Sequence, residues 1–371
     1  MLRFKAWALV SVLFGQVLSV IAFHGHAGAS WEDDWKKTLT EAKKEGEVRV
    51  YIYGYQDAIQ EFEKSYPDIK LTAVVGVRGA DIASKLMAER RAGKYLADLY
   101  ITGLGTHIQV LHPAGALASI RPALILPEVQ DKTKWFKGMH HYVYPDDTYS
   151  FVFEMNVSRW IYYNTNLVKA DEIKSWWDLT QPKWRGRLLA YDPTIPGAAA
   201  PALWFFYRNP FLGPKFIESL YGGMNVTVSR DPRQTWDWLA TGKFAICIAC
   251  RGWSKKLQDQ GLPVARITHP LREGEFVAFG NGIVSLIDPA PHPNAAKVFL
   301  NWWLSRKGQT AFQEITGKSG EPKNSLRLDI PKDMIPAEEI PQEGFKYFME
   351  DRTSAEERDQ AVKILKSVMK N

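Results

Sequence analysis

The sequence predicts an α/β chain folded as two doubly wound lobes. Short apolar strands alternate with amphipathic helices along most of the 371 residues. Gly-containing loops follow the strands, and the alternation restarts after a long β-forming stretch at 149–163. In open α/β sheets a ligand lies outside the carboxyl ends of the strands, so these loops are where a site is expected. The length suits two domains.

The clearest unit spans residues 79–103. Ile82, Leu86 and Met87, with Ala83 and Ala88 beside them, give one apolar face at helical period. Gly93 is a stop signal, residues 98–102 read as a short buried strand, and Gly103 opens a turn at its carboxyl end. Upstream, residues 31–45 read as a helix with Trp35, Leu39 and Ala42 on one face, ended by Gly46. Residues 48–53 alternate as a first strand and run into Gly54-Tyr55-Gln56-Asp57. A helix over 58–66 stops at Pro67, a second strand follows at 69–75, and Gly76-Val77-Arg78-Gly79 is the loop beyond it. This β-α-β-α-β order requires parallel strands and crossover helices.

A helix over 108–117 ends near Gly115, and Pro113, Pro122 and Pro127 break the following region into turns. The second alternation opens with a strand at 188–191, the loop Asp192 to Gly197, and a helix over 198–207. Free N–H groups at that helix start, at the positive end of the helix dipole, favour an anion near Thr194 and Gly197. The same residues also read as an ordinary helix entry capped by Thr194. A strand at 226–230 ends in Arg230 and leads to a helix carrying Trp236, Trp238 and Leu239, closed by Gly242. A strand at 244–248 then gives way to the loop Cys250-Arg251-Gly252. Residues 264–267 and 275–279 read as the return between lobes, and 281–287 as a buried strand. The tail 353–370 is an amphipathic helix (Ala361, Val362, Ile364, Leu365, Val368) expected on the surface of one lobe.

The first 29 residues carry Arg3 and Lys5, an apolar run over 6–23, and Ala27-Gly28-Ala29, a secretory signal pattern with cleavage after Ala29. A membrane anchor is the competing reading, but Gly15 and Gln16 interrupt the run. Without those two cations, 45 basic residues stand against 41 acidic, and no block of like charge marks a nucleic-acid surface. Cys247 and Cys250, on a chain expected to be exported, read as a structural disulfide or as buried thiols. Redox chemistry fits less well, because such a motif sits at a helix start and this one follows a strand. No His lies at ligand spacing nearby to make a metal site. No nucleophile elbow, phosphate loop or His-Glu-x-x-His motif occurs, and His140-His141 reads as a solvated pair in a turn-rich stretch.

Several separate segments resemble one family. They are Glu89-Arg90, Gly93-Lys94 and Ala97-Asp98; Asn164 to Val168; Trp176-Trp177-Asp178-Leu179; and Pro182 to Arg187. Pro289 to Ala296, Phe299 to Leu304, Gly308-Gln309 and Asn324 to Asp329 complete the set. Together the chain resembles the periplasmic solute-binding proteins of ABC importers, in the cluster of ferric-ion, thiamine and phosphonate binders. The resemblance implies a type II periplasmic-binding-protein fold, two doubly wound lobes joined by two crossover strands. Lobe 1 would comprise 30–155 plus 276–330, lobe 2 156–275, and a C-terminal extension 331–371. It further implies a periplasmic monomer without a cofactor, serving an ABC permease in the inner membrane.

Ferric-ion members of that family typically place an adjacent Tyr pair after the strand that corresponds to 244–248. Ala249-Cys250-Arg251-Gly252 stands there instead, and Tyr162-Tyr163 falls in the expected crossing segment. Thr102-Gly103 occupies the place of the usual acidic ligand. A cation repels Fe(III), whereas the Arg fork suits carboxylate or phosphonate. The expected ligand is therefore an anionic or zwitterionic small solute, held by Tyr53, Tyr55, Arg78, Thr102, Gly103, Thr194, Gly197, Arg230 and Arg251. A ferric or iron-complex binder, a periplasmic enzyme, or a protein feeding a sensor on the same scaffold are the alternatives.

Overall fold

Ser30 accepts a hydrogen bond from the Asp33 amide and so starts helix Trp31–Glu45, and Gly46 stops it with a left-handed φ of 69°. The computed structural model describes residues 30–143, 148–194, 199–250, 254–319, 322–342, 344–349 and 354–369. The expected signal segment, 1–29, lies outside them.

After that helix the chain builds a seven-stranded sheet. Its strand β1 (Glu47–Ile52), next to one edge, pairs in parallel with the edge strand β2 (Lys70–Val75) on one side and with β3 (Leu99–Thr102) on the other. Alternation along β1 sends Val48, Val50 and Ile52 into one core with Phe299 and Trp303, and Tyr51 into a second layer with Ile82, Leu86 and Tyr100. Burial on both faces is what covering helices impose on parallel strands. Two short strands come next, β4 (Leu117–Ala118) and β5 (His141–Tyr142), then β6 (Ser150–Val152).

The chain crosses in β7 (Asn156–Ser158) and enters a five-stranded sheet at β8 (Ile161–Asn164). Here β9 (Leu188–Tyr191) lies between β10 (Thr227–Ser229) and β11 (Ile246–Ile248), both parallel to it. Ile246 and Ile248 face a core with Trp176, Leu203 and Phe206, while Cys247 faces Trp236 and Leu239 on the other side. The antiparallel strand β8 pairs with β11 and carries β12 (Val264–Arg266) on its outer edge.

The return is β13 (Glu275–Ala278), antiparallel to β7. It leads into β14 (Ile283–Ile287), fully buried and antiparallel to β3. Both sheets therefore share one plan: the earliest parallel strand lies between two others, and an antiparallel strand follows. A third strand, β15 (Tyr347–Met349), adds in parallel to β13, so the crossing sheet has three strands.

Four expectations need correction. Residues 264–267 do not cross, because β12 completes the second sheet; only β13 returns. The stretch 149–163 divides into β6 of the first sheet, β7 in the crossing and β8 of the second sheet, so Tyr162 and Tyr163 are buried sheet residues. The helical segment expected at 108–117 begins earlier, at Leu104, and ends at Leu111. His140 and His141 are not solvated: His141 is buried with Nε2 2.8 Å from the Phe136 carbonyl, and His140 Nε2 lies 2.9 Å from the Val129 carbonyl. Trp135 and Phe151 close over His140 and Phe136 stacks on His141, an enclosure completed by the pairing of β5 with β6 rather than by any local pattern.

Candidate functional site

At the carboxyl edge of the first sheet, three loops converge because glycines let their backbones approach. Gly54 follows β1 with φ 101°, and a Cβ there would lie 2.9 Å from the side-chain nitrogen Nδ2 of Asn281. A Cβ on Gly103, after β3, would lie 3.0 Å from the Gly280 carbonyl and 3.2 Å from Asn281 Oδ1. Thr102 is buried, with its hydroxyl 2.7 Å from that of Thr106. Tyr53 is half-buried, its amide donating to the Ile101 carbonyl at 3.1 Å.

Tyr55 turns inward. Its ring packs edge-on against Phe153 and Phe312, its hydroxyl donates to the buried Glu154 carboxylate, and it accepts from the Asn281 amide at 3.3 Å. Arg78 stands out from the loop after β2, three-quarters exposed, with its guanidinium on Asp81 at 2.8 Å. That hydrogen bond raises the guanidinium further above its ordinary range and lowers the Asp81 carboxyl.

The corresponding edge of the second sheet is organised by a carboxylate. Asp192, buried, directly follows β9, and its amide donates to the Ser229 carbonyl at the end of β10. One of its oxygens accepts from the Thr194 amide at 2.8 Å and hydroxyl at 2.7 Å. The other accepts from Arg230 Nε at 2.7 Å. Burial alone would raise the Asp192 carboxyl, but hydrogen bonds from Thr194 and Arg230 hold it below the ordinary range. Arg230 remains 70% exposed, so its terminal N–H groups point to solvent from an anchored base. Asp231 in turn caps helix Pro232–Ala240 through the Arg233 and Gln234 amides.

Past β11, Ala249 takes φ 58° and its amide donates to the Trp160 carbonyl at 2.7 Å. Cys250 is joined to Cys247 in a disulfide with a Cα separation of 5.9 Å, inside the range such bridges need. Arg251 and Gly197 lie outside the described residues. Among the described residues no group of three or more His, Cys, Asp or Glu is placed to hold a metal ion, and no helix is long and apolar enough to cross a membrane.

The structure thus gathers Tyr53, Thr102 and Gly103 at one sheet edge, with Arg78 at the end of β2, and Thr194 and Arg230 at the other. Asp192, Asn281 and Glu154 organise these edges without being among the residues that the sequence singles out. Asp192 had a signal, an Asp two residues before a Thr directly after a strand, which is how a side chain turns its own backbone. Glu154 and Asn281 had none, because their partners Tyr55 and Gly103 are distant in the chain.

Residues 57–328 match the model of a family described as bacterial extracellular solute-binding protein. No curated protein matches the sequence. Among solved structures, an ABC transporter protein from Clostridium perfringens is 14% identical with a TM-score of 0.66, covering 87% of this chain and all of its own. FutA from Trichodesmium, solved with iron and citrate, is 18% identical with a TM-score of 0.63 over 87% of this chain and 99% of that one. AfuA from Actinobacillus pleuropneumoniae, solved with fructose-6-phosphate, is 21% identical with a TM-score of 0.54 over 86% of this chain and 97% of that one. At these identities the likeness carries the fold.

Proposed function

The chain belongs to the bacterial extracellular solute-binding protein family, and from that premise we propose that it captures a small anionic or zwitterionic solute between its two lobes. The lobes are taken as 30–155 with 276–330, and 156–275. Ligand seats first on one carboxyl edge; closure about β7 and β13 then brings the other edge onto it and shifts the population toward the closed form. A membrane permease of an ABC importer reads that closed form and takes the solute. Export to the periplasm, cleavage after Ala29 and a monomeric state belong to the same proposal.

The observation that carries the anionic reading is Arg230. A nearly buried carboxylate fixes its Nε at 2.7 Å while most of the side chain stays exposed. That leaves an anchored donor fork just beyond a strand, the geometry that pairs with carboxylate or phosphate. Tyr53, Thr102, Gly103 and Thr194 are assigned to the solute's remaining polar and flat surfaces, with Arg78, Gly197 and Arg251 as further contacts. Tyr55 would act through Glu154 and Asn281, holding the loops in place. Bare ferric ion fits poorly beside the Arg230 cation, and an anionic metal complex would be read as an anion.

Mass spectrometry of solute released from gently purified protein identifies the ligand. With that solute, Arg230→Ala is expected to weaken binding by about 2 kcal/mol, roughly thirtyfold in Kd, because closure dries the pair. Unchanged affinity in calorimetry removes Arg230 from the site.

A further inference from the structure

Two strands suffice to join the lobes, yet the crossing sheet has a third, and its chain is anchored on both sides. On the first lobe, the Lys332 ammonium donates to Gln313 Oε1 at 2.9 Å, Asn324 Oδ1 at 3.0 Å and the Ser325 carbonyl at 2.5 Å. Ile330 and Ile335 on either side are buried. The chain then passes Glu338 and Glu339 to Arg266 on β12, the outer strand of the second sheet. Arg266 donates to Glu339 at 2.8 Å and lies 3.8 Å from Glu338. Arg159, just past β7, donates to the Glu338 carbonyl and pairs with Glu275 at the head of β13 at 2.9 Å.

Next β15 lies along β13, Glu275 against Tyr347 through Val277 against Met349. Gly274 permits this contact, since a Cβ there would sit 2.9 Å from the Lys346 carbonyl. Finally helix Ala355–Val368 buries Ala361 and Leu365 in the core of the second lobe, and Glu357 lies 3.3 Å from Arg208. The described residues of 331–369 are thus fixed to both lobes, on either side of the axis between them.

We propose that this C-terminal segment is a strap that sets the opening of the hinge, with Arg266, Glu338 and Glu339 as its clasp. The proposal rests on the reading that the lobes close on a ligand. A rotation of one lobe must carry β15 with β13 or shear it, and must stretch or release the clasp. Whichever orientation the clasp fits better is populated more, and ligand affinity follows that population although no clasp residue lies at the candidate site. Space for adjustment exists beside the axis. A cavity of about 20 Å³, room for one water, is lined by Arg159, Trp160, His269, Glu275 and Phe276. Arg159 Nε lacks a hydrogen-bond partner there among the described residues.

The test uses the full mature chain, spin-labelled at two exposed positions, Lys94→Cys on the first lobe and Gln260→Cys on the second, in the presence and absence of its released solute. The unaltered protein is expected to give two inter-label distances whose proportions change with solute. Replacing Glu338→Gln together with Glu339→Gln should shift the solute-free proportions by roughly threefold, the size of losing two partly exposed ion pairs. Apparent Kd should move by the same factor, and Arg266→Gln should act in the same direction. Because the two Glu→Gln changes remove charge and keep side-chain shape, thermal unfolding of that variant is expected to stay close to that of the parent, which separates strap from scaffold. Proportions and Kd that stay put in both variants overturn the strap while leaving closure intact. A single distance in the unaltered protein, with or without solute, overturns closure and the strap together.

Discussion

His107 is 1% exposed, its Nδ1 3.0 Å from the Ser285 hydroxyl, which is 2.8 Å from that of Ser150. Burial pulls its pKa down to about 3, and burial likewise takes His140 down to about 4 and lowers His141. These rings are neutral in the fold, whereas the unfolded chain binds protons on them below about pH 6.5. Their contribution is therefore complete above about 6.5 and is lost as pH falls toward the folded values. Glu275 acts with the opposite sign. Burial, only partly offset by Arg159, raises it to about 7, so its contribution is present below its ordinary 4.5 and lost as pH rises to about 7. Urea midpoints at pH 7.5, 6 and 4.5 should fall with acid in the parent and fall less steeply in His107→Gln. Parallel slopes for the two proteins would show that His107 does not titrate this way. Glu275→Gln should steepen the acid loss, since the opposing slope is then gone.

The elements most legible in the sequence were those whose logic is local. Helix Trp31–Glu45 has its cap, its apolar face and its Gly stop within 17 residues of chain, and helix Gly79–Arg91 shows Ile82, Ala83 and Leu86 buried as its period required. The parallel strands of both sheets lie within a few residues of where the sequence pattern places them, whereas the short strands β4 and β5 carry no such pattern. What stayed hidden depends on distant partners. β15 has three half-buried residues and no pattern of its own, and it becomes a strand because β13 offers a free edge. The role of β12 as a sheet edge was equally invisible, since its partner β8 lies about a hundred residues earlier. The C-terminal helix was legible as amphipathic, but which lobe takes it was not. Leu365→Ala, at a fully buried position, should cost about 2–4 kcal/mol. Lys363→Ala on the same helix's exposed face should change stability by less than about 0.5 kcal/mol. Equal melting temperatures for the two variants would place the helix off the second core.

At the scale of the molecule, two sheets of one plan present the carboxyl ends of three parallel strands each, and a three-stranded crossing joins them. The repeat was readable because each half carries its own strand–helix alternation. The candidate site was only partly readable. Gly103, Thr194 and Arg230 sit at strand ends as expected, while Asp192, which orients Arg230, became visible through its contacts alone. Closure is the claim on which the solute, the Arg230 fork and the C-terminal strap all depend. Small-angle X-ray scattering of the mature protein, stripped of solute and then resupplied with the solute identified by mass spectrometry, tests it most directly. The account predicts a smaller radius of gyration and a changed curve at saturating solute; superimposable curves, with binding confirmed by calorimetry in the same buffer, would contradict it.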